Sequence, residues 1–387
     1  MKKRYDAIVV GAGISGCCLA WQLHRRGLQV AVFEAAPGPA CEATQAAAGF
    51  VAQWSAVHIA TWGAVHLQMQ RYGIDFYTEL ANQPGADIGF KDCGAVFVYP
   101  DAESWQQVQS RLSTAGELGI EFESLDAQRA REVIPEIVFD EVAGILYDAA
   151  AIRVRGATLG PYLADTLAAE VDFIYETPVR AVYDAPVGVE IDSGTIRSDT
   201  VFVAAGAWTR PLLHPAGLDW PVVPKSETRF TTAPLAGMRA AMPLILLQGR
   251  PAYYIREENG GLLIGGEELD IPAERYSDVR NPPTSANIPD GQAYRLRETI
   301  RPLEPVMPLL ADAEIEIIAS GLPTFTDDTL FIADEVSGRR GIYCLTACQE
   351  AGITHGPALT RHLTELALDG TSRWDRALFG IDRFLSA

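Results

Sequence analysis

Three glycines and one carboxylate carry the most specific chemistry legible in this sequence. The glycines fall as Gly11-x-Gly13-x-x-Gly16, directly after the apolar run Tyr5-Asp6-Ala7-Ile8-Val9-Val10. That spacing lets a strand turn tightly into a helix with its backbone pressed against a pyrophosphate. Gly11 makes the turn, Gly13 leaves no Cβ in the path of the phosphate, and Gly16 lets the helix sit close on the strand. The helix that follows begins at Ile14 and Ser15 and aims its N–H groups and positive dipole end at the anion. Glu34 ends the next apolar strand, about 20 positions on, where a carboxylate accepts hydrogen bonds from a ribose diol. A glycine-rich turn alone is weak evidence, but with a strand, a helix and an acidic residue in order it predicts an adenine dinucleotide site.

Two other stretches have side chains short enough to press against a flat ligand. In Ala43-Thr44-Gln45-Ala46-Ala47-Ala48-Gly49-Phe50 the small residues run into Gly49, then Val51, Gln53 and Trp54. A linker or an alanine helix would fit the composition; the glycine favours a tight loop under a cofactor. Thr200-Val201-Phe202-Val203 reads as a buried strand of a parallel sheet, and Ala204-Ala205-Gly206-Ala207-Trp208 as a small-residue turn at its end.

The elements that must position these residues follow from periodicity. A helix over 14–26 stops at Gly27, and 28–33 forms the second strand. Helical patterns cover 55–80, 102–118, 126–133 and 156–169, with strands at 94–99, 142–147, 173–175 and 187–191. Ala252-Tyr253-Tyr254-Ile255 and Gly261-Leu262-Leu263-Ile264-Gly265-Gly266 flank the turn residues Glu258-Asn259-Gly260 and predict a hairpin. Pro221 to Pro224 and Pro282 with Pro283 mark links, and a last amphipathic helix runs to about residue 368. The order predicts an α/β fold: a Rossmann-type domain assembled from 1–84, 146–224 and 316–387, and an antiparallel-sheet substrate domain from 85–145 and 225–315. A cleft between them is the expected active site.

Composition narrows the partners. At 387 residues the chain has ample core, and 48% hydrophobic with 21% charged residues is ordinary globular composition. A net charge of −19 repels phosphate backbones and anionic lipid, so nucleic acid is not expected. No apolar run approaches the roughly 20 residues of a membrane helix, and the basic start Lys2-Lys3-Arg4 leads straight into the first strand, unlike a signal peptide. The six cysteines, Cys17, Cys18, Cys41, Cys93, Cys344 and Cys348, have no zinc-ligand spacing; a reducing cytoplasm and no metal are expected. Cys344-x-x-x-Cys348 sits in an apolar strand context, which favours packing over redox chemistry.

Taken in order, four separated features resemble the D-amino-acid oxidase superfamily of FAD-dependent oxidoreductases, in its glycine oxidase and sarcosine oxidase branch. They are Gly11 to Gly16 with Glu34; Ala46-Ala47-Ala48-Gly49; Val203-Ala204-Ala205-Gly206-Ala207-Trp208; and Gly321-Leu322-Pro323, Phe331-Ile332-Ala333-Asp334 and Glu350-Ala351-Gly352-Ile353-Thr354. The resemblance implies a glutathione-reductase-like FAD fold, with FAD rather than NAD as cofactor. It implies FAD contacts from Ala35, Thr44, Gln45, Ala47, Ala48, Gly49, Ala204, Ala205, Gly206, Trp208, Gly321, Leu322 and Glu350, besides the first turn and Glu34. Val179 would meet adenine through its backbone, and Gly352, Ile353 and Thr354 would lie by the flavin pyrimidine. A helix start there also suits the negative charge of a reduced flavin. The implied reaction is oxidation of an amine or small amino acid by hydride transfer to flavin N5, with hydrolysis of the imine. An alternative is the flavin subunit of a multi-component opine-type dehydrogenase, which passes electrons to a partner.

The resemblance makes Tyr254 a substrate contact and Glu350 a group that orients the amine; a core aromatic and a solvated residue capping the last helix are the plainer roles. The sequence also departs from the pattern. Pro323 and Glu350 stand where glycine oxidases place carboxylate-binding arginines, Leu263 where sarcosine oxidases carry an oxygen-activating lysine, and Ser320 with Gly321 where they carry the cysteine that bonds flavin. Non-covalent FAD is therefore expected. Arg153, Arg155, Lys225, Arg229 and Arg256 are candidates for a relocated carboxylate anchor, and no spacing rule selects among them. A homo-oligomer or an electron-accepting partner subunit is left open.

Overall fold

The computed structural model describes residues 2, 4–53, 63–139, 142–214, 220–249, 252–266 and 300–384. Trp54, the start of the helical pattern expected from residue 55, and the Pro282 and Pro283 link lie outside the described residues. The first strands are β1 (Arg4–Val10), β2 (Val30–Phe33), β3 (Phe50–Val51), β4 (Lys91–Asp92), β5 (Ala95–Tyr99), β6 (Glu123–Ser124), β7 (Gly144–Asp148) and β8 (Ile152–Arg153). Then come β9 (Asp172–Ile174), β10 (Ala181–Asp184), β11 (Val187–Ile191), β12 (Gly194–Val203), β13 (Val223–Pro224), β14 (Glu227–Thr232), β15 (Leu244–Leu247), β16 (Tyr253–Glu258) and β17 (Gly261–Gly266). The last are β18 (Ile315–Gly321), β19 (Thr324–Phe325), β20 (Ile332–Glu335) and β21 (Ile342–Thr346). The described α-helices are α1 (Ile14–Arg25), α2 (Ala43–Ala46), α3 (Gly63–Ala81), α4 (Ala102–Glu117), α5 (Ala127–Val133), α6 (Gly156–Leu167), α7 (Thr209–Leu213) and α8 (Gly352–Asp369).

One eight-stranded sheet is built around a parallel core ordered β9-β2-β1-β12-β21, extended by antiparallel β10, β11 and β20. Its central strands, β2, β21, most of β1 and the last three residues of β12, are buried on both faces, as parallel strands covered by helices must be. Alternate residues of β1 divide between two cores: Ala7 and Val9 pack with the apolar faces of α1, α3, α6 and α8, while Ile8 and Val10 pack on the other side with Val189, Trp220 and Ile342. The second strand begins two residues later than its composition suggests, because Leu28 N–H still closes the end of α1 on the carbonyl of Leu23.

The second eight-stranded sheet runs β18-β14-β17-β16-β15-β5-β7-β6 and is antiparallel except where β15 lies parallel to β5. Its hairpin β16–β17 turns on Asn259 and Gly260, both at positive φ (51° and 83°), with Glu258 paired to Gly261. An Asn-Gly pair with both φ values positive matches the twist of a two-residue hairpin. β18 crosses the expected domain boundary at 315/316, since it pairs with β14 along six residue positions. The small-residue stretch is not one continuous loop: Ala43–Ala46 form a single helical turn, and the chain is extended from Ala47 into β3.

Candidate functional site

The C-terminal ends of β2, β1 and β12 lie side by side, and the chain leaves each through a turn of small residues. Gly11 N–H donates to the Phe33 carbonyl at 2.8 Å, and Ala204 N–H donates to the Val10 carbonyl at 2.9 Å. Gly11 has φ +98°, and a Cβ there would stand 2.6 Å from the Ala204 carbonyl oxygen. A Cβ on Gly16 would stand 1.8 Å from the Gly11 carbonyl oxygen, so α1 seats against β1 only with glycine at that position. Gly13 is different. Its φ of −65° suits any residue, and its Cβ would meet only Thr44 Oγ1, at 3.5 Å. The space beside Gly13 is open cavity rather than protein.

That cavity has a volume of about 950 Å³, near the top of the range for small-molecule sites. At one end stand Glu34, Ala35 and Val179. The Glu34 carboxylate accepts from the N–H groups of Ala12 (2.6 Å) and Ala36 (2.8 Å). These two bonds hold it in place, and a carboxylate has roughly four acceptor positions, so hydroxyl donors can still be received. Thr177 N–H on the Glu34 carbonyl and Glu176 N–H on the Ala36 carbonyl bring Val179 to the same end.

Gly11, Gly13, Ile14, Ser15, Thr44, Ala47, Ala48, Gly49, Ala204, Ala205, Gly206, Trp208, Gly321, Leu322, Glu350, Gly352, Ile353 and Thr354 all line this one cavity. Gly16 and Gln45 do not: Gly16 faces β1, and Gln45 offers its carbonyl to Arg229. The N-termini of α1 and α8 both open on the cavity, and neither N-cap residue, Gly13 or Ala351, supplies a side-chain cap. Ile14 N–H instead donates to Thr44 Oγ1 at 3.0 Å. Thr354 Oγ1 donates to the Phe50 carbonyl at 2.7 Å, which ties the start of α8 to the small-residue segment.

The far end is walled by one face of the second sheet. Successive residues of a strand face opposite sides: Tyr253 packs in the core of that sheet, and Tyr254 is half-buried at the cavity with its ring edge-on to Phe50 at 5.4 Å. Leu246, Tyr254, Gly265 and Arg229 are in register across β15, β16, β17 and β14. Two guanidiniums from this sheet grip the small-residue segment. Arg229 donates to the carbonyls of Ala46 and Gln45, and Arg256 to that of Ala48 at 2.5 Å. Sequence reading missed several lining residues, among them Gln248, Thr346 and Cys348; nothing in their local spacing distinguishes them from core or turn residues.

The five candidate cations separate cleanly. Arg153 and Arg256 lie in a buried ionic cluster with Glu257 and Glu258, and Arg155 joins it at 2.9 Å from Glu258. Lys225 stacks its ammonium 4.0 Å from the Phe325 ring centroid. Only Arg229 of the five lines the cavity. Glu350 is exposed at the cavity rim, next to the N-cap of α8. Leu263 is buried away from the cavity in β17. Cys348 lines the cavity, but burial pushes its thiol up to about 12, with a Ser15 hydrogen bond acting the other way, so it is protonated and a poor nucleophile.

These residues fit FAD. The cavity carries a glycine with open space where a Cβ would project, a helix start beside it whose N-cap residue has no side chain, a carboxylate with acceptor capacity at one end, and the start of a second helix further along. Among the described residues there is no cluster of metal-ligating side chains and no helix long and apolar enough to cross a membrane.

Comparison with known proteins agrees with that fit. The sequence model of the family described as "DAO: FAD dependent oxidoreductase" matches residues 6–366. The chain is 27% identical over 382 residues to 4-methylaminobutanoate oxidase (formaldehyde-forming) of Paenarthrobacter nicotinovorans, covering 97% of this chain and 45% of that protein. It is 24% identical to the glycine oxidase of Geobacillus kaustophilus, covering 100% of this chain and 98% of the relative. The chain thus spans less than half the length of the first of these and nearly all of the second. The crystal structure of L-proline dehydrogenase from P. horikoshii superposes with a TM-score of 0.86 at 18% identity, covering 100% of this chain and 99% of that one, and shares the fold.

Proposed function

The chain belongs to the DAO family of FAD dependent oxidoreductases, and we propose that it oxidises the C–N bond of an amine or small amino acid of the glycine, sarcosine or D-amino-acid type. When bound, FAD supplies at its N5 the acceptor for the hydride that leaves the amine-bearing carbon, and water hydrolyses the imine product. The chain's own residues bind, align and desolvate. Gly11, Gly13 and the start of α1 would hold the pyrophosphate, and Glu34 the ribose. The first turn of α8 would set its N–H groups beside the pyrimidine edge, where negative charge collects. Tyr254 and Phe50 would bound the substrate chamber. Their apolar ring faces favour the neutral amine, which is the form able to release hydride. No acid or base side chain is needed for that step.

The observation that carries this reading is one cavity shared by the glycine turn of the first sheet, the start of α8 and the tyrosine-bearing face of the second sheet. The relatives named above act, by their names, on an N-methylated amino acid and on glycine. A partner subunit is not needed to account for the resemblance, since the glycine oxidase matches along nearly its whole length. Three finer points belong to the same proposal. FAD is held non-covalently, supported by alanines at Ala46, Ala47 and Ala48 and the protonated Cys348. The cytoplasm as location is supported by six free thiols. A homo-oligomer is compatible with the chain.

The test is anaerobic bleaching of the bound flavin by a panel of primary and secondary amines and of D- and L-amino acids. Loss of the oxidised absorbance with at least one of them is expected. A flavin that dithionite reduces but no amine or amino acid bleaches would refute the proposed chemistry.

A further inference from the structure

Building on the amine-oxidation reading, which sets the flavin pyrimidine at the start of α8, we propose that Tyr77 is a positioning residue for that contact. Its phenol takes the place of a helix hydrogen bond that Pro357 removes. Pro357 lies inside α8, and the carbonyl four residues before it is that of Ile353. A proline has no N–H to donate to that carbonyl, and its ring crowds it. The Tyr77 hydroxyl, on α3, donates to the Ile353 carbonyl at 2.8 Å in a buried bond. Tyr77 is fully buried, and burial raises its phenol well above the ordinary 10, so the hydroxyl keeps its proton at neutral pH.

The bond acts on one peptide group. The Ile353 carbonyl and the Thr354 N–H belong to the same amide, so a donor on the oxygen polarises the N–H and strengthens it as a donor in turn. At a helix start the first N–H groups have no carbonyl of their own helix to meet. In α8 the ladder begins with His355 N–H on the Ala351 carbonyl at 2.9 Å, which leaves the N–H groups of Gly352, Ile353 and Thr354 ahead of it. All three residues line the cavity. Polarised N–H groups there favour the negative charge that reduction places on the flavin pyrimidine.

The approach of α3 is built for this contact. Gly73 and Tyr77 stand one turn apart on the same face of α3. A Cβ on Gly73 would lie 2.2 Å from the Thr354 carbonyl oxygen, so the two helices meet backbone to backbone at that level. Glycine weakens a helix interior; here it admits α8 close enough for the phenol one turn on to reach Ile353. Thr354 Oγ1 is tied in turn to the Phe50 carbonyl. The first turn of α8 is thus held by α3 and by the small-residue segment. Neither Gly73 nor Tyr77 lines the cavity, so their effect on a bound flavin runs through α8.

The experiment compares wild type, Tyr77→Phe, Pro357→Ala and the double variant, each with and without FAD. Tyr77→Phe keeps the ring and removes only the donor. Pro357→Ala returns an N–H to the helix, where it serves the Ile353 carbonyl. Urea melts of the FAD-free protein read that exchange. Tyr77→Phe should lower the folding equilibrium constant about 5- to 150-fold, the cost of an unsatisfied buried carbonyl, but no more than about threefold when made in Pro357→Ala. Anaerobic reduction against a reference dye reads the flavin. Its midpoint potential should fall by about 10 to 30 mV in Tyr77→Phe, a roughly 2- to 10-fold change in a two-electron equilibrium. The same change made in Pro357→Ala should lower it by less than about 5 mV. If Tyr77→Phe loses FAD, the double variant should regain it. Equal losses of stability in the two backgrounds would overturn the assignment. So would FAD-loaded Tyr77→Phe with a potential within about 5 mV of wild type, or loss of FAD from Tyr77→Phe that Pro357→Ala does not repair. Neither readout uses an amine, so the result stands apart from the bleaching panel.

Discussion

Gly13 offers the sharpest perturbation, because its neighbours separate binding from folding. At φ −65° and ψ −179° its backbone accepts any residue, and an added Cβ meets only Thr44 Oγ1, at an ordinary 3.5 Å. Gly13→Ala should therefore change the stability of the FAD-free protein by less than about 1 kcal/mol, the scale of an N-cap change from Gly to Ala. The new methyl would project into the cavity, in the space proposed for a pyrophosphate oxygen. Crowding of that kind costs about 1–3 kcal/mol, which is roughly a 5- to 150-fold rise in the Kd for FAD; Gly13→Val, with two more carbons, should leave the protein colourless. Gly16→Ala is the contrast. Its Cβ would stand 1.8 Å from a backbone oxygen that cannot swing aside, so α1 must back off β1, and the FAD-free protein should lose about 3 kcal/mol. FAD affinity by fluorescence quenching and urea melts of the FAD-free protein report the two quantities separately. Gly13→Ala binding FAD within twofold of wild type, or Gly16→Ala unfolding at the wild-type urea concentration, would refute the division of labour among the glycines.

Other consequences concern the tyrosine wall and the buried charges. Tyr254→Phe should keep its FAD and need about 2- to 10-fold more substrate for half-bleaching, the cost of one neutral hydrogen bond; unchanged half-bleaching would remove the hydroxyl from the site. Gly265→Ala should mimic it without touching Tyr254, since the new methyl falls 2.0 Å from the phenol Cζ and Oη and turns the ring away; a stable, yellow variant with wild-type half-bleaching would contradict that. Glu258→Gln leaves Arg256 buried without its carboxylate and should cost about 3–5 kcal/mol at neutral pH by urea melt. Burial acts to raise the Glu258 carboxyl, but Arg256, Arg155 and Arg153 outweigh it and hold it below its ordinary 4.5. A lowered carboxyl stabilises the fold fully above that ordinary value and stops doing so as pH falls through the folded one. Wild type should then lose stability on acidification more steeply than Glu258→Gln, and parallel acid limbs would argue against the assignment.

Much of the nucleotide end was legible because its information is local. A run of apolar residues, three glycines at fixed offsets and a carboxylate one strand later report on chain geometry within a single βαβ unit, and each lies where its spacing put it. The hairpin at Asn259 and Gly260 was legible for the same reason, since φ > 0 at two adjacent residues is a demand on residue type. Even here local reading overran: Gln45 looks like its neighbours in sequence, yet its carbonyl serves Arg229 and it stays off the cavity wall.

What the sequence by itself determined, then, is the kind of ligand and the glycine turn proposed to meet its phosphates, because backbone freedom and helix polarity are properties of a few consecutive residues. Which of five cations lines the cavity was decided only by tertiary structure. Arg153, Arg155, Arg229 and Arg256 are chemically alike along the chain; three of them meet Glu257 or Glu258 and one does not, and that depends on strand register across β14, β16 and β17. A counter-ion is found through space, so no spacing along the chain can say which guanidinium will be left to receive one.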